Sequence, residues 1–214
     1  TTPGNLNTIN TNFIEDKDDT EINEINLIRK RLSYVKGGKL ANILKNNKIE
    51  TIIISDVMSN DLSSIGSGPC AIDLSSYDDV LKIINKYNLK FDDDITELLK
   101  IDNIKYLDNV TNHIISSNKD LCLNLKDILE DKGYRSEIID DCFIDDVIIA
   151  KDKLIDIANR YKDSKEKLAF IIGGEATVKV KGNGLGGRNQ HLAMLAIKEL
   201  SEFKDIILFT FGSD

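Results

Sequence analysis

LAFIIGGEATVKVKGNGLGGRNQHLAMLAIKEL, residues 168–200, carries several local signals in one run. Leu168–Ile172 is a short apolar run and predicts a strand; Thr177–Lys181 predicts a second. Gly182–Gly187 follows as a glycine-rich turn, and Arg188–Leu200 is an apolar-rich stretch of helical length. Working back toward the N-terminus, the same alternation recurs. Asp145–Tyr161 predicts a helix, Ser136–Ile139 a strand, Lys119–Lys132 a helix and His113–Ser116 a strand. Residues 76–87 and 92–100 predict helices. Thr51–Ser55 (TIIIS) is an unbroken β-branched run, which predicts a strand buried on both faces of a parallel sheet. Ile22, Ile25, Ile28, Leu32 and Val35 recur at steps of three and four, so Glu21–Val35 predicts a helix, and Lys39–Asn46 restarts after Gly37-Gly38. Toward the C-terminus, Ile206–Phe211 predicts a final buried strand ending at Gly212-Ser213-Asp214. Strands alternating with helices predict an α/β fold with mainly parallel sheets and flanking helices.

Residues 101–110 read as a connector, which divides the chain into an α/β portion over 1–105 and a second over 111–214. Residues 1–20 are polar and turn-rich, a loop or frayed end. Residues placed beyond a strand's carboxyl end need a following loop and helix to hold them. Asp214 has neither here, so the chain is expected to be a piece of a longer one.

Bulk composition narrows the function classes. The chain has 214 residues and a formal net charge of -8. An acidic balance opposes a broad nucleic-acid footprint, which needs a basic face. Three cysteines, widely spaced and without a CxxC pair, provide no zinc knuckle or disulfide framework, as in a reduced cytoplasmic protein. No apolar run approaches the roughly 20 residues of a membrane span.

The glycine loop fits two generic patterns. Gly182, Gly184 and Gly187 match GxGxxG; Gly182, Gly187, Arg188 and Asn189 resemble a P-loop with Arg for Lys and Asn for Ser/Thr. In both, glycines let the backbone approach a phosphate at a helix N-terminus. Arg188 adds a planar fork suited to phosphate or carboxylate. Asp214, ending the next predicted strand, would suit a dinucleotide ribose and keeps that reading open. A glycine-rich turn with no ligand is the plainer alternative.

Other residues are weaker pointers. Asn26, Arg29, Ser33 and Lys36 form one polar helix stripe that meets Gly37-Gly38, either an anion site or a solvated face. Ser55-Asp56 ends a predicted strand, with Asp61 beyond it, and reads as a metal or hydroxyl contact or as a loop cap. Ile65-Gly66-Ser67-Gly68-Pro69 is a tight turn able to offer N–H groups to an anion. Gly173-Gly174-Glu175 follows a strand, and Glu175 or Thr177 could touch ligand. His113 and His191 have no partner spacing for metal or catalysis and read as structural or surface groups.

Together, EINEINLIRKRLSYVKGGKLA, ISD, IGSGP, HIISSN, GGEATV, GNGLGGRNQ and the terminal GSD resemble, in order, the glycerate kinase family that carries a MOFRL domain. The resemblance runs from about residue 21 to the end. It implies a phosphotransferase using ATP with Mg²⁺ on D-glycerate, giving 2-phosphoglycerate. It also implies a Rossmann-like N-terminal domain over 1–105 and a C-terminal α/β domain over 111–214, with the MOFRL region starting near 167 and a cleft between the two. Arg188 would pair with a phosphate or the glycerate carboxylate. Asp214 would orient or deprotonate the hydroxyl or hold metal, while Lys36, Asp56 and Ser67 would face the cleft. Glu175, Asn189 and Gln190 would complete the pocket. Arg29, Gly37, Gly38, Ser55, Gly68, Gly174, Gly182, Gly184, Gly186 and Gly187 would line it; metal ligands are unassigned. A homodimer is the expected assembly. The family's N-terminal basic residue and the segment after GSD are absent, so truncation at both ends is expected, with this piece inactive alone. An NAD(P)-dependent oxidoreductase acting on glycerate or hydroxypyruvate, and a non-catalytic remnant, are the alternatives.

Overall fold

The computed structural model describes residues 22–179, 182 and 184–212. These fall into two compact units that divide between Ser117 and Asn118.

The first unit begins with helix α1 (Ile22–Leu32) and the short α2 (Lys39–Ile43). Strand β1 (Ile49–Ser55), helices α3 (Tyr77–Tyr87) and α4 (Asp93–Lys100), and strand β2 (Val110–Ser117) follow. Helix α3 starts on a capping box, with Ser76 and Asp79 satisfying each other's backbone N–H groups. Ile25, Ile28 and Leu32 of α1 pack with Val80, Ile83, Leu89 and Leu99, so the three- and four-residue spacing becomes one buried stripe. Strands β1 and β2 pair in parallel from Ile49↔Val110 to Ser55↔Ser117, with a register shift between Ile53 and Ile54.

The second unit holds α5 (Asn118–Asp131), β3 (Arg135–Phe143), α6 (Val147–Tyr161), β4 (Leu168–Gly174) and α7 (Arg188–Leu200). Strands β3 and β4 pair in parallel from Arg135↔Leu168 to Phe143↔Gly174, joined through α6. Helix α5 packs on both strands and α6 packs against α7. Parallel strands connected through helices make the class α/β, as the alternating pattern predicts.

Three predicted strands differ. Ile52 and Ile54 are 76% and 74% exposed, so β1 is not buried on both faces: among the described residues it has a single strand neighbour, β2. Ile206–Phe211 forms no strand, and Ile207 and Phe209 stand 93% and 78% exposed. An apolar run adopts a ladder only when another strand supplies hydrogen-bond partners, and none of the described residues does so here. Of Thr177–Lys181, Thr177 makes only an isolated parallel bridge with Asp146, and Val180 and Lys181 lie outside the described residues.

Candidate active site

Two glycine-bearing turns of the first unit meet at one place. After α1, Ser33 Oγ accepts the N–H groups of Val35 and Lys36, each at 3.2 Å, and turns the chain. Gly37 N–H donates to Ser67 O at 3.0 Å, and Gly38 N–H to Gly68 O at 2.8 Å. Lys36 Nζ donates to Gly66 O at 3.1 Å. The Lys-Gly-Gly turn is thereby laced to the Ile-Gly-Ser-Gly-Pro turn, and the N–H groups of Gly37 and Gly38 are spent on that lacing. Gly66, Ser67 and Gly68 all have positive φ, at 57°, 62° and 61°. At Gly68 a Cβ would stand 3.0 Å from Ser63 Cα and 3.1 Å from Ser63 O, which favours glycine there. Ser67 is buried despite its left-handed backbone, a conformation that costs about 1–2 kcal/mol for an ordinary residue.

Neighbouring charges hold these turns. Asp61 accepts from Ser63 N at 3.2 Å and from the Ser63 and Ser64 hydroxyls at 2.7 and 2.6 Å. The Ser63 hydroxyl, then that of Ser64, pulls its pKa below the usual carboxylate value. Lys39 Nζ donates to Lys30 O, Arg31 O and Ser33 O at 2.9, 2.8 and 2.8 Å, capping the last turn of α1. Burial, and after it the Arg31 charge, lowers the Lys39 pKa, while Asp73 opposes them. Lys30 and the buried Asp73 pair at 3.3 Å. Sequence reasoning missed both Lys39 and Asp73. The Lys30–Asp73 contact spans 43 residues and leaves no periodic signal, whereas Asp-x-Ser-Ser at 61–64 is legible as a side-chain-capped turn.

The other first-unit candidates are more dispersed. Ser55 is buried, its hydroxyl donating to Val57 O at 3.2 Å, while Asp56 is exposed just past β1. Arg29 is half-buried on α1. His113 bonds Glu50 at 2.7 Å on the β1–β2 pair, a surface contact that lowers the Glu50 pKa.

In the second unit, β4 ends at Gly173-Gly174. Gly174 has φ 140°, and a Cβ there would lie 2.5 Å from Phe143 N and closer still to Phe143 O. Only glycine lets β4 run this near β3. Glu175 N–H then donates to Phe143 O at 2.7 Å, and Thr177 N–H to Asp145 O at 3.0 Å. Arg188, the first residue of α7, forms an ion pair with Glu175 and reaches Ala176 O at 3.5 Å. Gln190 Oε1 accepts Gly187 N–H at 3.1 Å, so Gln190 closes the helix start as a cap. Asn189 O accepts from the Thr210 hydroxyl at 3.1 Å. Gly182, Gly184, Gly186 and Gly187 are exposed. The structure therefore joins Glu175, Arg188 and Gln190 around one helix N-terminus; Asp214 lies outside the described residues.

Among the described residues no group of three His, Cys, Asp or Glu side chains could hold a metal ion, and no helix is long and apolar enough to cross a membrane.

Residues 168–214 match the MOFRL family, and residues 10–100 match a domain of unknown function, DUF4147. The chain is 36% identical over 202 residues to a D-glycerate 2-kinase of Thermotoga maritima, covering 92% of this chain and 48% of that protein. The chain thus carries a MOFRL match at its C-terminal end and is similar over most of its length to a D-glycerate 2-kinase. A crystal structure of a Thermotoga maritima glycerate kinase superposes with TM-score 0.74 at 35% identity, covering 85% of this chain and 45% of that one. A protein named as a hydroxypyruvate reductase in Agrobacterium vitis is 41% identical over only 68 residues, 32% of this chain. The chain spans about half the length of the curated glycerate 2-kinases it matches. The predicted blocks around Lys36-Gly37-Gly38 and Ile65–Pro69 lie within the DUF4147 match, and those from Gly173 onward lie within the MOFRL match.

Proposed function

We propose that the whole protein is a cytoplasmic glycerate kinase that transfers the γ-phosphoryl group of ATP to D-glycerate, giving 2-phosphoglycerate. The observation that carries this reading is the 36% identity to a D-glycerate 2-kinase over 92% of the chain. The geometry around Arg188 supports it. An exposed glycine loop leads into a helix N-terminus that begins with a guanidinium, an arrangement suited to a phosphate or carboxylate. In the reaction the glycerate hydroxyl oxygen bonds the γ-phosphorus, the bond to the ADP oxygen breaks, and the hydroxyl proton passes to a base. Asp214 is the proposed base and Arg188 the proposed anion ligand.

Lys36, Ser67 and Gly68 are proposed to shape a second binding surface in the first unit through the laced turns. Asp56, exposed just past β1, is proposed to supply a carboxylate. Mg²⁺ would be held mainly by the nucleotide phosphates, as is usual for kinase sites. When bound, Mg²⁺ neutralises charge developing on the phosphates. The two units are proposed as the two α/β domains, with the MOFRL region as the C-terminal part of the second.

The alternative NAD(P)-dependent reading rests on GxGxxG and on a match to a third of the chain. Titrating MgATP and NADPH separately into the whole protein tests the two. Saturable MgATP binding without NADPH binding is expected. Tight NADPH binding with no response to MgATP overturns the kinase reading.

A further inference from the structure

Arg188 sits at the junction between a rigid platform and an open loop. The platform is the segment 174–177, tied to residues 143–147 by Glu175 N–H to Phe143 O at 2.7 Å, Thr177 N–H to Asp145 O at 3.0 Å and Val147 N–H to Thr177 O at 2.9 Å. Gly173 adds close packing: a Cβ there would meet Asn118 Nδ2 at 2.7 Å and crowd Cys122 Sγ. The loop is the opposite. A Cβ added at Gly182, Gly184 or Gly187 would meet nothing within 4 Å. A guanidinium at the helix start beside such a loop has no intrinsic aim, because a long side chain retains many rotamers unless a partner selects one.

Glu175 is that partner. Both contacts of Arg188, to the Glu175 carboxylate and to Ala176 O, use Nη1. A guanidinium carries five N–H donors. Among the described residues nothing engages Nη2 or Nε, so one edge of the fork is held and the rest is available. A bidentate Glu–Arg pair would instead have consumed the donors that recognise an anion.

We propose that Glu175 is a positioning residue. It pins Nη1 of Arg188 to the end of β4 and leaves Nη2 and Nε to bind the anionic group of substrate or nucleotide. This rests on the reading of Arg188 as an anion ligand, and it removes Glu175 from the groups that touch ligand directly. Gly174 acquires a function too, since the close approach of β4 to β3 sets where Glu175 stands.

A double-mutant cycle on the whole protein, read as kcat and KM with D-glycerate and MgATP, tests the proposal. Glu175→Gln keeps the shape and removes the charge. It should lower kcat/KM by roughly 10- to 100-fold, as expected when a catalytic group is misplaced by about an ångström. In the Arg188→Gln background the same change should cost less than about threefold, because the two residues act as one unit. Glu175→Asp, which retains the charge, should recover part of the loss, with an unchanged melting temperature in each variant. An equal loss from Glu175→Gln in both backgrounds overturns the proposal and leaves the kinase reading intact. A wild-type kcat/KM for Arg188→Gln removes the reading of Arg188, and the proposal with it.

Discussion

Gly174→Ala is the substitution whose cost the structure defines most sharply. At φ 140° an L-residue enters a region reserved almost wholly for glycine, at about 1–3 kcal/mol. The new Cβ would also meet Phe143 N at 2.5 Å and Phe143 C at 2.8 Å. Those are backbone atoms of the paired strand, so no side chain can swing away, and overpacking of this kind adds about 1–3 kcal/mol. The sum is roughly 2–6 kcal/mol, against a typical domain stability of about 5–15 kcal/mol. Gly133→Ala is the internal control. Its φ is 80°, but a Cβ there meets nothing within 4 Å, so only the left-handed backbone cost of about 1–2 kcal/mol remains. Urea unfolding of the chain reads the difference. At a slope of about 2 kcal/mol/M, Gly174→Ala should lower the midpoint by roughly 1–3 M and Gly133→Ala by about 0.5–1 M. Hydrogen exchange at the Glu175 amide should accelerate in Gly174→Ala alone, because its bond to Phe143 O is displaced. Equal midpoint losses for the two variants would refute the claim that strand proximity, rather than backbone freedom, demands glycine at 174.

The remaining predictions concern charge. Lys39→Met should destabilise the first unit by about 1–3 kcal/mol in chemical unfolding, since three carbonyls of α1 and the following turn lose their donor. The Lys39 pKa is lowered in the folded state, so between that value and 10.5 the unfolded chain binds more protons. The stability advantage of wild type over Lys39→Met should therefore grow as pH rises through that window, and a flat difference would contradict the assignment. Asp61 has the carboxylate pattern: its folded pKa lies below 3.8, so its contribution is complete above 3.8 and is lost as pH falls through the folded value. Melts of Asp61→Asn and wild type should differ at neutral pH and converge in acid; a gap that persists at low pH would contradict this. Arg188→Ala in the whole protein should reduce kcat/KM on the order of 10²-fold or more, and a near-normal value would exclude the proposed anion contact.

Local periodicity explains what was legible in the sequence. Ile25, Ile28 and Leu32 placed α1 correctly, and its end at Leu32 rather than Val35 reflects a side chain, Ser33, whose hydroxyl takes the next two N–H groups. The runs at Thr51 and Leu168 became strands because each found one parallel neighbour. Ile206–Phe211 has equal apolar character and no neighbour among the described residues, so composition alone could not decide its state. Within the candidate site, the glycine loop and Arg188 were visible as a pattern. The pairing of Arg188 with Glu175 was not, because it depends on where β4 ends relative to α7. Nor could sequence show that Gly37 and Gly38 point their N–H groups at Ser67 and Gly68 rather than at a ligand. Gln190 was expected in the pocket, and its side chain caps the helix that carries Arg188.

Phosphorus-31 NMR of the whole protein incubated with D-glycerate and MgATP tests the kinase assignment most directly. The account predicts a growing 2-phosphoglycerate resonance matched by ADP formation, with both slowed on the order of 10²-fold or more in Arg188→Ala. ATP that remains intact in the presence of glycerate, or ADP formation that does not depend on glycerate, would contradict it.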